Sequence, residues 1–128
     1  MTDGSAAGEG KEDSSIAIPL AEARRERYDL PVTFNRRELD QILRVYGTKV
    51  ADGEWRDYAI DHLKDQAVFS VFRRTSEVPM FRITKTPKLR ARQGAYSVVA
   101  ASGQILKRGH ELARVLRVFD RNLRLVKA

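Results

Sequence analysis

The chain contains no cysteine, so it can form no disulfide, thiol nucleophile or thiolate metal site. It has two histidines, His62 and His110, and a single tryptophan. An imidazole-based metal or acid–base centre therefore has little to build from. No apolar run approaches the roughly 20 residues of a membrane helix. The opening stretch, MTDGSAAGEGKEDSS, lacks the basic start and apolar core of a secretory signal. No nucleophile elbow, P-loop or dinucleotide glycine fingerprint occurs. Together these absences predict a cytoplasmic protein with no membrane segment, no cofactor and no metal, and they weigh against an enzyme.

Acidic residues are also scarce, but only in one half. Residues 73–128 hold 14 Lys/Arg against 3 Asp/Glu, a net +11, whereas residues 1–31 carry −3 and residues 32–72 carry −1. Of the 24 basic side chains, 17 are arginine, whose planar fork suits phosphate or carboxylate. Base composition of a genome can produce the same bias, so the placement of the charge says more than its type.

With 128 residues, 42% of them hydrophobic, the chain has material for one modest core. Residues 1–31 read as a disordered acidic tail. The folded α+β domain is expected over 32–128. Asn35 stands as an N-cap with Glu38 three residues on, a capping box, and Phe34 with Leu39 fits a hydrophobic staple. Leu39, Ile42, Leu43, Tyr46 and Val50 then recur at helical spacing, Asp40 and Arg44 are placed to pair, and Asp52-Gly53 ends the helix.

The next segment suits helix or strand. Alternation of Tyr58, Ile60 and His62 favours a strand over roughly 57–63. Asp57, Asp61 and Asp65 flank His62, but on a strand Asp61 and His62 point to opposite faces. AVFSVF and MFRITK continue an antiparallel meander, with Thr75-Ser76-Glu77 as a turn between them. Tyr96–Ala100 and Gln104–Lys107 form a closing hairpin about Gly103. Leu112, Val115, Leu116 and Phe119 mark a last helix, with Arg114, Arg117 and Arg121 on its opposite side. Leu123, Leu125 and Val126 suggest a short last strand. The expected fold is thus an N-terminal helix, a meander-and-hairpin sheet and a C-terminal helix.

Two basic surfaces are the candidates for binding nucleic acid. Lys85, Lys88, Arg90 and Arg92 lie in a connector without acids. If it is extended, the last three project to one side. Lys107, Arg108, Arg114, Arg117 and Arg121 surround the last helix, and Arg73, Arg74 and Arg82 can extend a phosphate track. Phe69, Phe72, Phe81 and Tyr96 are aromatic enough to stack bases, although AVFSVF lacks the glycine and basic residues of an RRM motif. A charged helix face is also what any solvated helix displays. The same basic half is a footprint for an acidic protein as well. The alternative is a protein–protein adaptor or homodimer. Val45, Trp55 and Val118 lie off the expected core stripes and would seed that interface.

The segments FNRRELDQILRVYG, EWRDYAIDHLKDQAVFSVFRRTSEVPMFRI and QGAYSVVAASGQILKRGHELARVLRVFD resemble a family of uncharacterised alphaproteobacterial proteins, domain of unknown function 2794. The resemblance covers about residues 32–126 and stops at the acidic tail. It implies a bacterial cytoplasmic setting and carries over no catalytic residue, cofactor or partner. The sequence thus points to a non-enzymatic binding module whose basic C-terminal half contacts nucleic acid or another polyanion.

Overall fold

The structure, a computed structural model, describes residues 8–9, 13–14, 30–74 and 78–120. The chain divides into Met1–Leu30 and Pro31–Ala128. In the first unit, Gly8–Glu9 and Asp13–Ser14 pair as a two-residue antiparallel ladder. Most of the tail expected to be disordered, the Thr75–Glu77 turn and the last strand lie outside the described residues.

The second unit is an α+β arrangement. Helix α1 (Arg36–Ala51) precedes five strands, β1 (Asp57–His62), β2 (Ala67–Phe72), β3 (Phe81–Lys85), β4 (Tyr96–Ala100) and β5 (Ile105–Gly109). They form one antiparallel sheet in sequence order. A short helix α2 (Leu112–Leu116) and a 3-10 turn (Arg117–Asp120) follow.

The start of α1 is built as its sequence requires. The Asn35 side chain accepts from the Glu38 N–H at 2.8 Å, and Glu38 accepts from the Asn35 N–H at 2.7 Å. Both groups would otherwise be orphan donors of the first turn. The buried stripe differs from the expected one. Glu38 and Ile42 are buried, Leu39, Val45 and Tyr46 pack against the core, and Leu43 and Val50 are exposed. Val45 lies three residues beyond Ile42 and takes the inner face, which turns Leu43 outward. Asp40 and Arg44 form no ion pair; both instead line a groove between α1 and α2. Gly47 sits in this helix with nothing within 4 Å of a Cβ added there. Gly47→Ala is therefore expected to raise stability by about 0.5–1 kcal/mol, read as a higher urea midpoint at unchanged slope. A lower midpoint would show that the helix interior is crowded there.

One face of the sheet meets both helices. Ala67, Phe69, Val71, Ile83 and Val98 pack there against Ile42, Leu112, Val115, Leu116 and Phe119. Trp55 follows α1 and is 2% exposed, with its ring edge-on to Phe119 at 5.0 Å. The expectation that Val45, Trp55 and Val118 lie off the core is thus overturned: all three belong to it or pack against it.

Two further expectations change. The α-helix after Gly109 is only five residues long and tightens into 3-10 geometry at Arg117. Its N-cap Glu111 makes no side-chain capping bond, so little holds a longer helix at that end. The connector is not extended either. Pro87–Leu89 is a 3-10 turn, and the N–H groups of Arg90, Arg92, Gln93 and Gly94 fold back onto the Pro87 and Leu89 carbonyls. Lys88, Arg90 and Arg92 therefore do not share one side as strand residues would.

Candidate nucleic-acid interface

The sheet separates the basic residues into groups. Arg82 and Arg108 project from the face that no described helix or strand covers. Arg114 and Arg117 are exposed on the helix layer behind the opposite face. These two pairs cannot touch the same short run of phosphates. Arg73 and Arg74 are exposed at the end of β2 and line a hollow with Asp52, Glu54 and Arg56. Lys107 is exposed on the edge strand, one residue from Arg108 and so on the other side of the sheet. Arg90 and Arg92 are exposed in the connector. Arg121 lies outside the described residues.

Three of the nominated cations are already paired. Lys88 meets Asp65 at 3.0 Å and Arg114 meets Glu111 at 3.2 Å, both on the surface, where such pairs hold little energy. Lys85 is different. Its ammonium donates to Glu38 Oε1 at 2.8 Å and to the Thr33 carbonyl at 2.9 Å, and its side chain is 15% exposed. That charge is turned inward, to a partner on α1.

Glu38 is the centre of this inner cluster. Its second oxygen accepts from the Tyr96 hydroxyl. Burial alone would raise the carboxyl pKa, but the hydrogen bonds from Lys85, Tyr96 and the Asn35 N–H outweigh it, and the value falls below the ordinary range. Burial and the bond to Glu38 push the Tyr96 hydroxyl to about 12. Each of the Glu38 oxygens is thus engaged, and the cluster ties α1 to β3 and β4. Sequence spacing places Glu38 as a cap; its long-range partners, 47 and 58 residues away, carry no local signal.

The face that no described helix or strand covers has its own order. One cross-strand row reads Asp61, Val68, Thr84, Ser97, Arg108. The next reads Ala59, Ser70, Arg82, Val99, Ile105. Val68, Ser70, Thr84 and Ser97 are buried on it, and the hydroxyls of Thr84 and Ser97 lie 2.5 Å apart. Small hydroxyl and apolar side chains thus form its floor, and the longer Arg82 and Arg108 stand beside Ser70 and Ser97. The face encloses a hollow of about 570 Å³. Arg108 Nη1 makes a long contact, 3.5 Å, to the Gly94 carbonyl at the end of the connector. Of the candidate aromatics, Phe69 and Phe81 pack in or against the core, Tyr96 is bound to Glu38, and Phe72 alone lines the hollow.

Sequence reasoning missed Ser70, Thr84 and Ser97. A signal exists: AVFSVF is apolar or small at both parities, and a strand of that kind is covered or used on both faces. Among the described residues no group of three His, Asp or Glu is placed to hold a metal ion. No described helix is long and apolar enough to cross a membrane.

A family model described as a protein of unknown function, DUF2794, matches residues 32–116. No curated protein and no solved structure matches the chain.

Proposed function

The chain belongs to the DUF2794 family, and from that premise we propose that it is a non-enzymatic, cytoplasmic binding module for nucleic acid or another polyanion. The observation that supports this reading is the excess of cationic side chains over residues 73–128, 14 against 3 acids, with most of the described ones on the surface. Such an excess raises the local concentration of polyanions and speeds their encounter. The adaptor reading loses its motive, because Val45, Trp55 and Val118 are packed inward. The basic domain over 32–128 is the part we assign to binding.

A salt titration tests this. Binding of a fluorescein-labelled oligonucleotide, followed by anisotropy, should weaken linearly in log K against log salt. Three phosphate contacts on a single strand give a slope of about −2. Absence of binding at 20–50 mM salt, or an affinity indifferent to salt, would remove the proposal.

A further inference from the structure

We infer that two copies of the chain pair through the flank of α1 that lies beside strand β1, with Leu39, Leu43, Tyr46 and Val50 of each helix packed antiparallel against the same residues of the other. This pairing is independent of the polyanion-binding reading, because its residues precede the basic half.

The flank carries a seam. Arg36, Leu39, Leu43, Tyr46 and Val50 stand alternately three and four residues apart, the spacing by which one helix packs along another. Leu39 and Tyr46 pack partly on the core. Leu43 and Val50 turn away from it and are 39% and 41% exposed. Tyr58, on edge strand β1, widens the strip. It is 41% exposed, and its ring meets Tyr46 edge-on at 4.9 Å. Apolar residues scattered singly over a surface need no partner. These are contiguous, on one side of a helix and the strand beside it, and exposed enough to be touched.

Three arguments select a second copy. First, the seam matches its own reverse. In an antiparallel pair Leu43 lies opposite the partner's Tyr46 and Leu39 opposite the partner's Val50, and a two-fold axis repeats both layers. Second, the charges agree. The seam's one charged member, Arg36, comes level with Asp52 and Gly53 at the end of the other copy's helix, and the axis forms this contact twice. The chain's positive excess lies in residues 73–128, whereas residues 32–72 carry −1, so the two copies meet where they repel least. Third, the size is sufficient. A helix of 16 residues is about 24 Å long. With Tyr58 the strip is roughly 15 Å wide, so the pair buries on the order of 1,000 Å² in total, the low end for a specific contact. The dimer is accordingly weak, with a Kd of about 10–100 µM.

Sedimentation equilibrium of the nuclease-treated full chain tests this, over about 5–500 µM and at about 0.3 M salt, which suppresses bridging by a polyanion. The mean mass should rise from one chain toward two. Leu43→Lys sets an ammonium against the partner's Tyr46 and should weaken association about tenfold or more. Arg36→Glu and Asp52→Arg should each weaken it about threefold, and the double variant should recover most of that loss, as only contact between two copies of this chain requires. Arg44→Glu, on the α2 side of the helix, should change it less than about twofold. A chain that stays monomeric at the highest concentration, or a dimer as tight in Leu43→Lys as in wild type, overturns the pairing. Where circular dichroism shows that Leu43→Lys does not fold, the charge swap decides: a double variant no tighter than the single ones overturns it. Either outcome leaves the polyanion titration, read on its own, unaffected.

Discussion

Replacing Gly94 with alanine is expected to lower the unfolding free energy by about 3 kcal/mol or more, a large share of the ~5–15 kcal/mol that holds an ordinary domain folded. Two effects combine. Gly94 has φ +103°, a conformation that costs other residues about 1–3 kcal/mol. A Cβ there would also lie 2.2 Å from the Gly109 carbonyl carbon. That neighbour is backbone, so it cannot rotate away as a side chain would. Gly109 in turn sits under Val115, whose Cγ2 would be 3.3 Å from a Cβ at Gly109. The starts of β4 and α2 are therefore held through one backbone crossing. Gly103 supplies the control. Its φ is +93°, but nothing lies within 4 Å of an added Cβ, so Gly103→Ala carries the conformational cost alone. Urea unfolding of both variants measures the difference. Equal losses at the two positions would show that the backbones are not in fact crowded at Gly94.

Glu38→Ala is expected to cost about 3 kcal/mol. It removes the reciprocal cap, worth about 1 kcal/mol, and leaves Lys85 and Tyr96 without their acceptor. A partly buried ammonium without a counter-charge is the larger share. Lys85→Met in the same background should therefore recover part of the loss, which simple loss of packing would not predict. The pH dependence has a definite sign. The folded pKa of Glu38 is depressed, so its stabilisation is present above the unfolded value near 4.5 and is lost as pH falls through the lower folded value. The stability gap between wild type and Glu38→Gln should be full at pH 6 and should close toward pH 3. A gap that stays constant over that interval would remove the carboxylate from the account.

Much of this architecture was legible in the residue pattern. The Asn35–Glu38 box, the five strands and the Gly103 turn follow from short-range rules of spacing and turn chemistry. What was not legible depends on distant partners. Nothing local to Lys85 says that its charge meets a carboxylate 47 residues earlier. Trp55, in a loop after α1, has no periodicity to mark it, yet its ring packs against both Phe81 and Phe119. The last helix was overestimated because its apolar spacing fits a helix and a 3-10 turn alike, and Phe119 reaches the core through the latter. The candidate site shows the same limit. Charge counting found Arg82 and Arg108 but grouped them with Arg114 and Arg117, which the sheet places behind its other face. Only the register joins those two arginines to Ser70, Thr84 and Ser97.

The claim that the basic half of the chain binds polyanions meets its most direct test in backbone amide shifts. Titrating oligothymidylate into the isotope-labelled full chain at low salt should move amides of the basic half, among them exposed Arg73, Arg74, Arg90, Arg92, Lys107 and Arg117, along saturating curves. Raising the salt should reverse those shifts. Amides that stay unmoved at low salt, or shifts that persist unchanged as the salt rises, would contradict the account.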